Sequence, residues 1–219
     1  MKFEYLLFDL DGTLTDPKEG ITKSVQYALE AFGIEEKDLT KLEPFIGPPL
    51  IDSFMEFYGM DTATAAEAVK RYREYFAPTG IFQNALIEGV PEMLFSLKKA
   101  NKKIALASSK PTEFVKKILE HFEIREYFDV IVGSRMDGTR TSKAEVVGEV
   151  LHRFEEQQKV DITRAVMIGD RKYDIKGAKE FDMTSVGVTF GYAKDGELEQ
   201  AGADYVVSSV QELSELLLQ

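Results

Sequence analysis

A short acidic string near the N-terminus places the strongest constraint on this chain. Four apolar and aromatic residues (YLLF, 5–8) precede the string DLDGTL (9–14). The apolar run is typical of a fully buried strand, so Asp9 and Asp11 follow where that strand ends. Residues two apart in a strand point to the same side, which would direct both carboxylates together and Leu10 toward the core. Burying like charges without a partner is costly, and this chemistry favours a bound cation.

Gly12 allows a tight turn and a close approach of the backbone to a ligand. The alternative interpretation is a strand followed by an ordinary Asp-Gly turn at Asp11. The whole string after an apolar strand resembles the first motif of the haloacid dehalogenase superfamily, in its subgroup of phosphatases and phosphomutases.

Length and composition exclude several classes of protein. The 219 residues allow one large domain, or a domain with an insertion. The net charge of -11 argues against nonspecific binding to nucleic acid or to anionic membranes. The absence of cysteine excludes disulfides, thiolate metal sites and cysteine nucleophiles. With no signal peptide and no apolar run long enough to span a bilayer, we expect a cytoplasmic protein.

Residues 16–85 have the apolar periodicity of helices and contain no convincing strand. Gly33 and Gly59 would end the first two helices, and Asp61 or Thr62 would cap the third. The positions that define the inward faces are Ile21, Val25, Ala28, Leu29 and Phe32, then Leu50, Phe54, Phe57 and Tyr58, then Ala65, Ala66, Val69, Tyr72 and Phe76. We therefore predict an all-helical domain at 16–85, inserted into a core domain formed by 1–15 and 86–219.

Strands and helices alternate after Glu88, which predicts an α/β fold with a parallel sheet. The predicted strands span 103–107, 129–133, 165–168, 184–188 and 205–207. Polar residues follow these strands at the carboxyl edge of the sheet, where open α/β sheets bind ligands. The sequence thus predicts a Rossmann-like core whose separate loops meet at one edge.

Several polar residues at these strand ends are candidates for binding an anion. Ser108 and Ser109 precede a helix and could donate to phosphate oxygens, although Ser109 could equally cap that helix. Lys143 would begin a helix, where a cation is unfavourable unless a carboxylate or phosphate compensates it; the alternative is a surface lysine. If a helix begins at Asp170, then Asp170 and Asp174 share one face, although simple charge placement in a first helical turn is the alternative.

The inserted domain contains a second candidate loop at 45–50 (FIGPPL). Gly47 and Pro48 lie beside a helix start, where backbone donors attract anions, or they form only a rigid loop. Lys23 and Arg73 are candidate cations that face a substrate, or solvated surface residues. The histidines 121 and 152 lack metal-ligand spacing and receive no role.

Taken together, the motifs resemble the haloacid dehalogenase superfamily along essentially the whole chain. Ser108 resembles the second motif, Lys143 the third, and Gly169-Asp170 with Asp174 the fourth. The helical insertion is similar to the C1-type cap of the phosphoglycolate phosphatase-like group. The chain departs from that group at Ser108-Ser109, where Thr-Asn is common, and after Lys143, where a proline is common.

This resemblance implies a role for each matching residue. Asp9 would be the nucleophile and Asp11 the general acid and base, with Lys143 as the third catalytic residue. Gly12, Ser108, Ser109 and Lys143 would bind the phosphoryl group. Mg²⁺ would be held by Asp9, Asp170 and the backbone carbonyl of Asp11. Asp174 would orient the metal site from outside its ligand shell, with direct or water-mediated coordination as the alternative.

The expected function is Mg²⁺-dependent hydrolysis of a small phosphorylated metabolite through an aspartyl-phosphate. The leading substrates are 2-phosphoglycolate and a nucleoside monophosphate. Alternatives are a sugar phosphomutase of the β-phosphoglucomutase type, a carbon–phosphorus lyase that uses Lys23 as a Schiff base, and a phosphate-binding protein without turnover. A monomer and a homodimer are equally compatible with the sequence.

Overall fold

Parallel strands form one six-stranded sheet in the computed structural model, which describes residues 2–157 and 159–219. The strands in chain order are β1 (Tyr5–Phe8), β2 (Thr15–Asp16), β3 (Ala85–Leu86), β4 (Lys103–Pro111), β5 (Val130–Ser134), β6 (Ala165–Gly169), β7 (Thr184–Val188) and β8 (Tyr205–Val207). The large sheet has the order β5-β4-β1-β6-β7-β8, whereas β2 and β3 form a separate pair.

The position of β1 in the middle of the sheet determines where a ligand site can form. Phe8, its last residue, is in register with Leu106 of β4 on one side and with Ile168 of β6 on the other. The chain fills the β4 side of β1 first and the β6 side afterwards, so strand order reverses at β1. This topological switch point opens a crevice at the carboxyl ends of β1, β4 and β6.

Helices complete the fold on both sides of the sheet and in the insertion. Their bounds are α1 (Lys18–Glu30), α2 (Leu50–Tyr58), α3 (Thr62–Phe76), α4 (Val90–Lys99), α5 (Thr112–His121), α6 (Lys143–Glu155), α7 (Lys172–Lys179), α8 (Glu197–Ala201) and α9 (Val210–Leu218). Alternate strand residues point to opposite faces, and those of one face pack on α6. This buried cluster includes Leu7, Ala105, Val132 and Met167 from the sheet and Val147 from α6.

The chain divides into two units, one formed by residues up to Thr15 together with Leu86–Gln219, and one by Asp16–Ala85. The α/β class with an all-helical insertion, predicted from the sequence, is confirmed. In the described part of the chain, no helix combines the length and the apolar character that a bilayer crossing requires.

Within Asp16–Ala85, the capping signals have the expected effects, but Phe57, predicted on an inward face, is exposed. Asp61 caps α3 by accepting a hydrogen bond from Thr64 N at 2.7 Å, and Gly59 ends α2 in the left-handed conformation. Ala68, rather than the predicted Ala66, completes the buried face of α3. A 3-10 helix at Leu39–Phe45 was not predicted: its apolar residues recur every third position rather than with the period of an α-helix, and Pro44 lies inside it.

Candidate active site

The loop after β1 carries two buried aspartates. Asp9 N–H donates to the Ile168 carbonyl at 2.9 Å, which extends the strand pairing by one residue. The carbonyl of the fully buried Leu10 accepts hydrogen bonds from the N–H groups of residues 13, 14 and 15, so the chain turns at once. Gly12 has a φ of 80°, and a Cβ there would lie 2.1 Å from Asp170 Oδ2. The turn therefore requires glycine, and it places Asp9 and Asp11 at the carboxyl end of β1.

Lys143 is the first residue of α6 and is buried between two carboxylates. Its Nζ lies 2.9 Å from Asp9 Oδ1 and 2.8 Å from Asp174 Oδ1, and it donates to the Ala107 carbonyl at 2.8 Å. A capping box in which Ser142 Oγ accepts from Glu145 N fixes the helix start. The surface-lysine alternative is therefore wrong.

The charge of Lys143 is stabilised by these neighbours. Burial by itself would lower its pKa, but the carboxylates of Asp174 and Asp9 outweigh burial and raise the pKa above its ordinary value. Lys143 therefore remains a fixed positive charge beside Asp9.

Asp9, Asp170 and Asp174 form a buried acidic cluster, in which one carboxylate oxygen from each lies within 4.8 Å of the others. Asp170 Oδ2 accepts from Tyr192 N at 2.7 Å, and Asp174 Oδ2 accepts from Arg171 N at 3.0 Å. Helix α7 begins only at Lys172, so the interpretation that Asp170 and Asp174 share one helical face is wrong. The turn between β6 and α7 brings them together instead.

The cluster carries more negative charge than its surroundings compensate. Burial, followed by the charges of Asp174 and Asp9, raises the pKa of Asp170 well above its ordinary value. Burial also raises the pKa of Asp174 to about 6, with a further contribution from Asp9 and an opposing one from Lys143. Both carboxyl groups therefore resist ionisation when no cation is bound.

The residues of this cluster fit a divalent cation. Asp170 Oδ1 is buried and has no hydrogen-bond partner in the described part of the chain. An unsatisfied carboxylate oxygen among repelling acids is stabilised by a cation, and hard cations prefer such oxygen ligands. The structure is thus consistent with a metal site formed by Asp9, Asp170 and Asp174.

The end of β4 contributes Ser108, Ser109 and Lys110. Ser108 is buried, and its Oγ accepts from Lys110 N at 3.3 Å. Helix α5 begins at Thr112 without a side-chain cap, so the interpretation of Ser109 as a cap is wrong. Ser108 and Ser109 lie in the last part of β4, the strand beside β1, and their role in phosphate binding stays a prediction.

Lys110 forms an ion pair with Asp11 that the sequence did not predict. Its Nζ lies 2.7 Å from Asp11 Oδ2 and 2.9 Å from Asp11 Oδ1. The sequence shows only a lysine at a strand end, and a signal for its partner would have required the strand register. As a result, Asp9 and Asp11 are held by different lysines.

The candidate residues of the insertion are described within that unit alone. Gly47 has a φ of 104° in the loop that precedes α2, and Pro48 follows it. Lys23 Nζ pairs with Glu19 Oε1 at 2.6 Å, and its side chain is 36% exposed. Their roles toward a substrate stay predictions.

The site and the sheet together define an α/β protein with a cluster of acidic residues at the topological switch point of a parallel sheet. Comparison with known families gives the particular family: residues 6–188 match the haloacid dehalogenase-like hydrolase model, and the chain belongs to that family. The enzyme class predicted from the sequence is thereby confirmed.

Individual relatives match over nearly the whole chain. A 5'-nucleotidase of Pseudomonas aeruginosa is 42% identical over 99% of this chain and 96% of its own length. The tyrosine-protein kinase PtkA of Mycobacterium tuberculosis is 33% identical over 98% of this chain and 72% of its own length. The crystal structure of a predicted phosphatase from Clostridium acetobutylicum superimposes with a TM-score of 0.95 at 46% identity, covering 100% of this chain and 99% of that chain.

Proposed function

We propose that this protein is a Mg²⁺-dependent phosphomonoesterase that hydrolyses a small phosphorylated metabolite through an aspartyl-phosphate on Asp9. The observation that carries the proposal is the Asp9 carboxylate at the switch point of the sheet, which lies 2.9 Å from a buried Lys143 and forms part of the acidic cluster. A carboxylate nucleophile fixed beside a permanent positive charge is the arrangement that attack on a phosphate anion requires.

The chemistry that follows uses the chain's own residues. A carboxylate oxygen of Asp9 attacks phosphorus, and the bond from phosphorus to the leaving oxygen breaks. Asp11 delivers a proton to the leaving alkoxide. It later takes a proton from the water that attacks the phosphorus of the aspartyl-phosphate, which breaks the bond from phosphorus to Asp9 and releases phosphate. Burial raises the pKa of Asp11 although Lys110 opposes this shift, which favours the protonated acid that the first step needs.

The phosphoryl group needs hydrogen-bond donors for its oxygens as well as a nucleophile for its phosphorus. Lys143 already holds Asp9 and could extend to a phosphoryl oxygen, and the hydroxyls of Ser108 and Ser109 are further candidates. The Gly12 backbone is a candidate as well, but its N–H would first have to leave the Thr15 carbonyl, to which it donates at 2.7 Å. Together these groups would orient the phosphoryl group and stabilise the charge that it carries in the transition state.

We assign the metal to the acidic cluster. Asp9 and Asp170 would hold Mg²⁺ with the Asp11 carbonyl, as the family resemblance implies. The position of Asp174 inside the cluster supports a role as a direct or water-mediated ligand as well as an orienting group. A bound Mg²⁺ supplies positive charge that reduces the repulsion between the substrate phosphate and the carboxylates.

A nucleoside 5'-monophosphate is the first substrate to test, because the 5'-nucleotidase relative is 42% identical along almost all of both chains. The family resemblance adds 2-phosphoglycolate. A second candidate is phosphoryl transfer to an acceptor other than water. The relative named as a tyrosine-protein kinase favours that candidate, and a sugar phosphomutase belongs to the same class.

The test is phosphate release from nucleoside 5'-monophosphates, 2-phosphoglycolate and sugar phosphates, with Mg²⁺ and with EDTA. Wild type is compared with Asp9→Asn and with Asp182→Asn, an exposed aspartate that serves as a matched control. We expect Mg²⁺-dependent release that Asp9→Asn abolishes and Asp182→Asn retains. Release that survives in pure Asp9→Asn protein would contradict the assignment of the nucleophile.

The same panel separates hydrolysis from transfer. If a substrate labels Asp9 with a phosphoryl group but releases no phosphate, a sugar or a tyrosine peptide is added as acceptor. Appearance of the label on that acceptor would favour transfer over hydrolysis.

A further inference from the structure

Lys110 and Asp11 form a buried ion pair at the carboxyl edge of the sheet. The proposed reaction gives a role to Asp11 but none to Lys110. The side chains are 7% and 10% exposed, and Nζ lies within 3 Å of both carboxylate oxygens. A lysine that reaches both oxygens restricts rotation of the carboxylate as well as compensating its charge.

The backbone that carries Lys110 is fixed by the sheet. Ala107 pairs with Val132 of β5 and Pro111 with Ser134, so four steps along β4 match two along β5. The extra residues form a bulge, a device that changes the direction of a side chain at a strand end. The bond from Lys110 N to Ser108 Oγ closes the bulge locally. Lys110 thus lies in a bulge between two paired positions of β4, which restricts the direction of its side chain.

The contacts of Lys110 differ from those of Lys143. Lys143 contacts Asp9 and Asp174 and so belongs to the nucleophile and the acidic cluster. Lys110 contacts Asp11, the residue that exchanges protons with the leaving group and with water in the proposed reaction. The two lysines therefore serve different carboxylates.

We propose that Lys110 is a positioning residue that holds the Asp11 carboxyl group in the orientation from which it protonates the leaving oxygen. This inference rests on the proposed function. As the bond from phosphorus to the leaving oxygen breaks, the proton moves from Asp11 to that oxygen. The ammonium of Lys110 then stabilises the carboxylate that remains, until Asp11 takes a proton from the attacking water.

The experiment varies how much the leaving group needs a proton. Adenosine 5'-monophosphate and 2-phosphoglycolate release strongly basic alkoxides, whereas 2,4-dinitrophenyl phosphate releases a phenolate that needs no acid. The measured quantity is kcat/KM, because it covers the steps up to the first irreversible one and so leaves out hydrolysis of the shared aspartyl-phosphate. The variants are Lys110→Met and Lys110→Arg, with Asp11→Asn as the reference for a lost acid.

We expect Lys110→Met to lower kcat/KM for the better alkyl phosphate about 10- to 100-fold, a part of the factor that a general acid supplies. For 2,4-dinitrophenyl phosphate the loss should be less than about threefold, since no proton transfer is needed. Lys110→Arg should lower kcat/KM for the alkyl phosphate less than Lys110→Met does, because arginine keeps the positive charge. If Lys110→Met fails to fold by circular dichroism, Lys110→Gln replaces it with the same expectation.

Lys98→Met is the matched control, since Lys98 also pairs with an aspartate, Asp129, at 2.9 Å. Asp129 lies just before β5, at the opposite end of the strands, so this variant should leave both substrates unaffected. An equal loss for both substrates in Lys110→Met would overturn the inference and indicate phosphate binding or a structural role.

The reference variant separates the inference from the proposed function. If Asp11→Asn lowers kcat/KM equally for both substrates, Asp11 is not the general acid. The positioning role of Lys110 is then excluded, whereas the phosphatase function is not. If wild type hydrolyses neither class of substrate, the proposed function fails and the role of Lys110 fails with it.

Discussion

Replacing Asp170 by asparagine should stabilise the metal-free protein and remove its response to Mg²⁺. The substitution keeps the shape of the side chain and removes one charge from the acidic cluster. The asparagine oxygen can still accept from Tyr192 N, as Asp170 does at 2.7 Å. Its NH₂ group then occupies the position of the unsatisfied oxygen and can donate to Asp9 or Asp174.

The size of the effect follows from the separations in the cluster. Two unit charges at the 4.8 Å limit of the cluster repel by about 3.5 kcal/mol at an effective dielectric constant of about 20. Asp170 has two such neighbours, but Lys143 and partial protonation reduce the repulsion. We therefore expect the free energy of unfolding of the metal-free protein to rise by about 1–3 kcal/mol in the variant.

The pH dependence gives the sign of the effect. Because the pKa of Asp170 is higher in the folded than in the unfolded protein, the folded state binds more protons between the two values. Wild type therefore loses stability as the pH rises through the raised pKa, and regains it on acidification. The advantage of the variant should be largest above the raised pKa and should vanish as the pH falls to about 4.

Hydrogen exchange of peptides that cover β1 and β6 is the suitable assay, because two units need not unfold together. In EDTA the variant should be better protected than wild type. With Mg²⁺ at about 100 times its dissociation constant, the free energy of unfolding should rise by about 2.7 kcal/mol in wild type and should not change in the variant. Equal gains in both proteins, or a variant that is less stable than wild type in EDTA at high pH, would refute the reasoning. Asp182→Asn should change stability by less than about 0.5 kcal/mol.

Substitutions at two glycines, with a third glycine as control, give further tests. Gly12→Ala should cost about 1–2 kcal/mol from its φ of 80° and should also abolish Mg²⁺-dependent stabilisation, because the new Cβ would lie 2.1 Å from Asp170 Oδ2. Gly138→Ala, with a φ of 86° and open space around it, should show the strain alone, so an equal loss of the Mg²⁺ response there would contradict the argument. Gly20→Ala should destabilise the helical unit by about 1–3 kcal/mol in hydrogen exchange, because its Cβ would lie 1.9 Å from the Gly80 carbonyl oxygen; unchanged protection of α1 would disprove this.

The sequence predicted those features of the fold that depend on local pattern. The apolar run before Asp9 and the one before Asp170 are each bounded by turn residues, so the strands were found close to their true ends. Helix α8 was missed because its five residues are too few to show a period. Strand order and register were also beyond the sequence, since both depend on pairing between distant segments.

At the site, too, local signals were predicted from the sequence and contacts between distant segments were not. Lys143 at a helix start indicated a missing anionic partner, and the structure supplies Asp9 and Asp174. The partner of Lys110 could not be found in this way, because the contact depends on a bulge in the pairing of β4 with β5. The error in starting a helix at Asp170 has a related cause: the capping interaction of Asp174 with Arg171 N delays the helix by two residues.

The balance of charge at this edge connects the metal, the substrate and the proton. Four aspartates face two lysines here, which leaves two net negative charges when every group is ionised. One divalent cation neutralises that excess, whereas a phosphate monoester dianion restores it. A protonated Asp11 reduces the excess by one, so substrate binding and retention of the proton on Asp11 favour each other. In the proposed reaction, Asp11 releases a proton to the leaving oxygen, and it is therefore the residue whose protonated form a bound phosphate would stabilise.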